Sequence, residues 1–277
     1  MKDALIISAL SVIPKNHAAR MMGVFARTRL PSLAQRALLR WYVGKYKVNL
    51  DECEGSLEDY GSLVDFFTRA LKPGMRPVDD APNAIVSPAD AVTYAVGRIE
   101  DGKIPQSDGR SYTVRELLGG DARFDDGDFA VLYLSPRDYH RVHVPREGVA
   151  RRYSYLPGAL WPVFPAATRS IDALFARNER LTTWIDAACG EYAVVMVGAF
   201  GVGRMRVVYD SVVTNAGKPR AEVPLTPPPT LARGAELGRF EMGSTVILVF
   251  PPNTVSWRIA PGDPVRVGAR IGELRQN

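Results

Sequence analysis

The sequence predicts an α+β fold, with a basic, helical N-terminal region ahead of a mainly antiparallel β body. Three observations carry that expectation. Residues 1–50 hold nine basic side chains and a single acid, Asp3, whereas the rest of the chain holds 26 basic and 29 acidic residues. Apolar residues within and just after this block recur at helical spacing. From Ile85 onward the signals change to runs of about six residues rich in Val, Tyr and Phe, bounded by Gly, Pro or Asp. A chain of 277 residues, 46% hydrophobic and 23% charged, builds one large domain or two small ones. That composition excludes a disordered, collagen-like or coiled-coil chain. Cys53 and Cys189 match no metal spacing and read as free thiols in a reducing compartment.

The first segment resembles a signal peptide only superficially: Asp3 spoils its charged start and no A-x-A site follows Pro14. The longest apolar runs, Ala4–Ile13 and Ala193–Val202, fall short of the ~20 residues of a spanning helix. A basic block of this kind meets a polyanion. Its dense apolar and aromatic residues (Leu5, Ile6, Met21, Phe25, Leu33, Trp41, Tyr42) favour an anionic membrane surface over nucleic acid. Arg36 and Arg40 share one helix face, and Leu38 and Tyr42 share another. Two readings stand at this point: an interfacial amphipathic helix, or a helix packed on its own domain with a solvated basic face.

A helix is expected within Ser56–Leu71, stopped by Lys72-Pro73-Gly74. Strands are expected at Ala84–Val86, Asp128–Leu134, Val149–Tyr155, Tyr192–Phe200, Met205–Val213 and Thr245–Phe250, with a short helix at Val114–Leu118. Pro224–Pro229 is a stiff connection, and Pro261–Leu274 places Gly at turn spacing between short strands. The expected division is a helical region over 1–80 and a β-rich catalytic domain over 81–277.

Chemistry concentrates in three places. Histidine is scarce, yet His140 and His143 stand with Arg137, Asp138 and Arg141 in one short segment, and dense titratable clusters tend to be functional. H-x-x-H offers metal ligands, but no Cys lies near, so no metal site is expected. Asp90 follows the short strand at Ala84–Val86; alone it reads as a turn cap. Finally, Gly243-Ser244-Thr245 leads directly into an apolar strand; read locally it is a hairpin turn, and it is not a G-x-S-x-G elbow. Ser with His and Asp is the minimum set for an activated hydroxyl, and Gly243 leaves its own carbonyl unshielded beside Ser244.

Taken in order, these segments resemble the phosphatidylserine decarboxylase family of pyruvoyl-dependent membrane enzymes. The likeness runs from Phe66-Phe-Thr-Arg69 and Leu71-Lys-Pro-Gly-Met-Arg-Pro77, through Ser87-Pro-Ala-Asp90 and Tyr139-His-Arg-Val-His143. It continues through Leu156-Pro-Gly, Leu174-Phe-Ala-Arg-Asn-Glu-Arg180 and Val197–Gly203 to Gly238-Arg-Phe-Glu-Met-Gly-Ser-Thr245. The resemblance implies self-cleavage between Gly243 and Ser244, giving a β subunit 1–243 and an α subunit 244–277. It implies a maturation triad of Ser244, His143 and Asp90, a pyruvoyl cofactor made from Ser244, and His140 as a substrate contact. The activity implied is decarboxylation of phosphatidylserine to phosphatidylethanolamine, through a Schiff base between the cofactor and the substrate amine. The implied partners are an anionic phospholipid membrane, the two subunits of one proenzyme and a homodimer of such heterodimers, with no nucleic acid; the implied place is peripheral, on the cytoplasmic face of the cell membrane.

Three positions depart from the family pattern: Ala91 stands where Gly is usual, Met242 where Leu is usual, and Trp161–Thr168 is of a different type and carries no residue over. Two other readings compete. One is a membrane-binding relative that never matures, for which Ala91 is the only hint. The other is a Ser-His-Asp lipid hydrolase, for which Gly243 would serve no purpose.

Overall fold

Residues 15–107, 109–201, 203–242 and 244–275 are described by a computed structural model, Lys15, Pro165 and Ser244 by their backbone alone. In chain order come α1 (Lys15–Arg27), α2 (Ser32–Tyr46), a 3-10 turn at Leu57–Asp59 and α3 (Leu63–Phe67). Next are β1 (Ala84–Val86), β2 (Ala91–Arg98), the hairpin β3 (Lys103–Ser107) and β4 (Arg110–Thr113), α4 (Val114–Leu118), β5 (Gly127–Leu134), β6 (Arg141–His143) and β7 (Gly148–Leu156). Two short helices, α5 (Pro165–Ser170) and α6 (Leu174–Arg177), precede β8 (Arg180–Ala187), β9 (Gly190–Gly198), β10 (Met205–Val207), β11 (Ala221–Pro224), β12 (Thr230–Leu231) and β13 (Glu236–Phe240). The chain closes with β14 (Ser244–Pro252), β15 (Val255–Trp257), β16 (Pro264–Val265) and β17 (Arg270–Leu274). This is the α+β arrangement expected.

One large antiparallel sheet runs in the order β11-β7-β8-β9-β14-β5-β2-β16, with β12 beside β7. Its central strands read as unbroken apolar runs because both faces are covered. In β14, Val246, Leu248 and Phe250 enter one core while Ile247 and Val249 enter the other; β5 divides Ala130 and Leu132 from Phe129 and Val131 in the same way. The small sheets β1-β17-β15 and β10-β13-β6 cover the first face through Ile85, Ile271, Val142 and Leu237. The β3–β4 hairpin and helices α4 to α6 cover the second through Ile104, Tyr112, Leu117 and Phe175. Each such buried side chain contributes roughly 1.5–3 kcal/mol against the entropy of ordering it.

Local chemistry sets the element ends. Helix α4 falls where expected because Thr113 and Glu116 form a reciprocal capping box and Gly119 closes it at φ 80°. The single helix expected over Ser56–Leu71 is instead a 3-10 turn and α3, broken at Tyr60–Ser62. Ser62 is extended there and accepts from the Asp65 N–H at 3.1 Å, so a new helix starts. The strand expected over Met205–Val213 stops at Val207, and Asp210 Oδ1 turns the chain by accepting from Val212 N at 2.7 Å.

The N-terminal helices form a third core from Ala26, Leu39, Tyr42, Leu63, Val64, Phe66 and Phe67, against which Met242 packs. The described part of the basic arm packs on its own domain and leaves some large apolar side chains exposed. Helix α2 buries Gln35, Leu39 and Tyr42 on its own domain and pairs Arg36 with Glu58 at 2.9 Å, yet it leaves Leu33 and Trp41 79% and 59% exposed. The apolar run from Leu5 to Ile13 lies outside the described residues. No helix among the described residues is long and apolar enough to cross a membrane.

Candidate active site

Strand register decides what meets residue 244. The backbone of Ser244, the first residue of β14, pairs with Leu134 on one side and Gly198 on the other. Leu134 ends β5 and releases the 135–143 segment, which carries Asp138, Tyr139, His140 and His143. That segment is sewn to the strand approaching Gly243: β6 pairs with β13, and Phe240 N donates to the His140 carbonyl at 3.0 Å. Gly198 is fixed in turn, since Asn178 donates to its carbonyl at 2.9 Å and the Glu179 carbonyl accepts from its N–H at 2.8 Å. Gly243 itself and the side chain of Ser244, the expected cleavage site, lie outside the described residues.

His143 N donates to the Pro88 carbonyl at 2.7 Å, which sets the histidine beside the segment ending in Asp90. Its Nδ1 lies 2.8 Å from the Gly234 carbonyl and its Nε2 3.2 Å from the Tyr139 hydroxyl. A carbonyl only accepts, so Nδ1 carries the proton and Nε2 is the basic nitrogen. Burial pushes the His143 pKa below the ordinary imidazole value, against the Gly234 bond and the charges of Glu236 and Asp90. The ring is therefore held in its neutral, proton-accepting form. Burial also pushes the Tyr139 hydroxyl up to about 12, so it remains a donor.

Asp90 is held by an arginine and a backbone N–H. Its carboxylate accepts from Arg76 Nε at 2.9 Å, from Arg76 Nη2 at 2.5 Å and from Val267 N at 2.9 Å. Among the described residues His143 donates no direct hydrogen bond to Asp90; the two are linked through the backbone at Pro88 and through the charge of Asp90. Ala91, which follows, begins β2 opposite Val265 and is not among the residues with left-handed backbone, so it sits there without strain.

His140 is fully buried. Its Nδ1 donates to the Asp138 carbonyl at 2.8 Å, its Nε2 has no partner among the described residues, and burial pushes its pKa down to about 3. The Phe67 ring packs on it with centroids 3.9 Å apart. Arg69 donates to the carbonyls of Arg137 and Asp138 at 2.9 and 3.2 Å, the Thr68 carbonyl accepts from Arg141 at 3.0 Å, and Tyr42 donates to the Pro136 carbonyl at 2.7 Å. The N-terminal helices and the Phe66–Arg69 segment thus clamp the histidine loop. Their place beside the histidine loop, like that of Arg76 beside Asp90, is not legible in the sequence: the residues form a motif, but only their neighbours show what they hold. A cavity of about 290 Å³ opens beside Asp90 and Tyr139, its wall shared by Glu52, Arg69, Arg76 and Arg266.

Comparison with known proteins gives the family. The phosphatidylserine decarboxylase family profile matches residues 63–273. A phosphatidylserine decarboxylase proenzyme of Myxococcus xanthus is 42% identical over 99% of this chain and 100% of its own length. Proenzymes of the same name from Anaeromyxobacter sp. (strain K) and Azotobacter vinelandii are 43% and 41% identical, over 98% and 99% of this chain and 99% of each relative. The chain belongs to the phosphatidylserine decarboxylase family.

Proposed function

We propose that this chain is a self-processing carboxy-lyase that removes CO₂ from phosphatidylserine and leaves phosphatidylethanolamine. The observation that carries the reading is the meeting, at one end of the sheet, of the head of β14 with a loop whose His143 presents an unprotonated Nε2. In maturation, His143 accepts the Ser244 hydroxyl proton while Oγ attacks the Gly243 carbonyl, shifting the acyl group from nitrogen to oxygen. Elimination from that ester frees residues 1–243 with a terminal carboxylate. Water then replaces the nitrogen of residue 244 as ammonia, and the 244–277 fragment starts with a pyruvoyl group. Asp90, held by Arg76, sets the charge against which His143 becomes cationic.

The surroundings fit such a group: Gly198 leaves the strand beside residue 244 without a side chain, and the 135–143 loop brings Tyr139, His140 and His143. A pyruvoyl carbonyl supplies the sink for the electrons left behind when CO₂ departs. The chain's own residues bind and move protons. Neutral His140 contacts the headgroup, His143 returns a proton to the substrate carbon, and the Arg-lined cavity attracts the anionic headgroup. The exposed Met21, Phe25, Leu33 and Trp41 rest the protein on the cytoplasmic face of an anionic membrane, and two matured copies form a homodimer of heterodimers.

Intact mass under denaturing conditions tests the reading. The expected result is a 1–243 fragment and a 244–277 fragment lighter by one ammonia than a Ser-started peptide, with release of CO₂ from phosphatidylserine vesicles. A single full-length mass from an active preparation, or cleavage persisting in Ser244→Ala, His143→Ala or Asp90→Ala, overturns the corresponding assignment.

A further inference from the structure

Between the start of α2 and the 3-10 turn lies a second hollow, of about 320 Å³, bordered by Arg29, Ser32, Gln35, Arg36, Glu58 and Tyr60. It shares no bordering residue with the cavity beside Asp90. Three of its features are left unexplained by packing. Pro31 occupies the cap position of α2 and no side chain caps the helix, so its first N–H groups face outward with the positive end of the helix dipole. Gln35 is only 5% exposed, yet neither its Nε2 nor its Oε1 has a hydrogen-bond partner among the described residues. Burying an amide this way is strongly disfavoured unless something completes it. Finally, Arg36 grips Glu58 through Nε and Nη2 at 3.0 and 2.9 Å, whereas Arg29 enters no ion pair among the described residues, although Asp65 stands near it across Gly61.

We propose that this hollow binds the phosphate of an anionic lipid headgroup, at a place separate from the site of chemistry. Phosphate oxygens accept from Arg29, from the first N–H groups of α2 and from Gln35 Nε2, while Gln35 Oε1 accepts from a headgroup hydroxyl. A lipid fits better than free phosphate because apolar surface flanks the hollow in sequence. Leu33, beside Ser32, is 79% exposed, and α1, which leads to Arg29, exposes Met21, Val24 and Phe25 by 71%, 57% and 56%.

Flotation of the full chain with vesicles tests this, using phosphatidylcholine alone and phosphatidylcholine mixed with phosphatidylglycerol. Phosphatidylglycerol is not the proposed substrate, so failure here is separable from failure of the decarboxylase reading. Wild type is expected to prefer the mixed vesicles, and Arg29→Gln and Gln35→Leu each to weaken that preference about tenfold. Binding to phosphatidylcholine alone stays unchanged. Gln35→Leu is also expected to raise Tm, since it removes two buried unpaired polar atoms. A lowered Tm with the preference intact makes Gln35 a packing residue and overturns the proposal. So does a preference lost only in Leu33→Ser. If inorganic phosphate shifts the Gln35 side-chain NMR signals while both variants keep the vesicle preference, the occupant is free phosphate and the lipid assignment fails.

Discussion

Arg76 grips the Asp90 carboxylate with Nε and Nη2 at 2.9 and 2.5 Å, and the same Nη2 reaches Glu52 at 2.6 Å. All three side chains are mostly buried. The planar guanidinium holds one carboxylate at a fixed angle while a second carboxylate balances its charge, which a lysine cannot reproduce. Arg76→Lys is therefore expected to slow self-cleavage about tenfold, and Arg76→Ala more, as followed by the appearance of the 1–243 band on a denaturing gel. A wild-type cleavage rate in Arg76→Ala would detach this arginine from the maturation machinery.

The buried His140 predicts a pH dependence of stability. Its pKa is pushed down to about 3 in the folded state, whereas an unfolded histidine titrates near its ordinary 6.5. Between these values the unfolded chain binds more protons, so stability is present above pH ~6.5 and is lost as the pH falls. The slope approaches about 1.4 kcal/mol per pH unit from this residue, and the lowered pKa of His143 adds in the same direction. Denaturant melts at pH 5 and pH 7 are expected to show a smaller difference in His140→Phe than in wild type; equal differences would mean that His140 is not the titrating group.

Arg27 of α1 pairs with Glu241 at 3.1 Å, and Arg206 holds the same carboxylate at 2.7 Å. Glu241 is 4% exposed and stands two residues before Gly243, so the basic arm is tied to the segment that leads from β13 to the proposed cleavage site. Arg27→Ala leaves Arg206 in place, and its cost is about 1 kcal/mol for a partly exposed partner. Faster chymotryptic cleavage within residues 15–31 is the expected sign of a loosened arm. An unchanged digestion pattern would show that apolar packing alone holds it.

Ala91 was the one position in the resemblance that hinted at an idle enzyme. Because its backbone lies outside the left-handed region, Ala91→Gly is expected to leave self-cleavage unaccelerated and to cost about 0.5–1 kcal/mol in strand entropy. A large gain in cleavage rate in the same gel assay would reopen the question of strain.

Much of the fold is legible in local patterns. The runs around Val131, Val195 and Leu248 read as strands because β-branched and aromatic residues suit a pleated surface covered on both faces, and Thr113 and Gly119 mark both ends of α4. The structure departs from those patterns where a single polar side chain redirects the chain. Ser62 split one expected helix, and Asp210 cut an expected strand short. Such choices depend on which N–H a short side chain meets, and periodicity carries no record of that.

Of the candidate site, the sequence by itself supplied the expected chemical groups and their order: Asp90, His140, His143, Gly243 and Ser244, in segments that resemble one family. Only the tertiary structure decided their partners. It turned Asp90 toward Arg76 and His143 toward Gly234 and Tyr139, and it set Phe67 on His140. It also brought Leu134 and Gly198 to either side of residue 244. The physical reason is separation along the chain. A motif states which groups a reaction needs, but a hydrogen bond is fixed by atoms brought within about 3 Å, and strand register and core packing bring those atoms together from distant parts of the sequence.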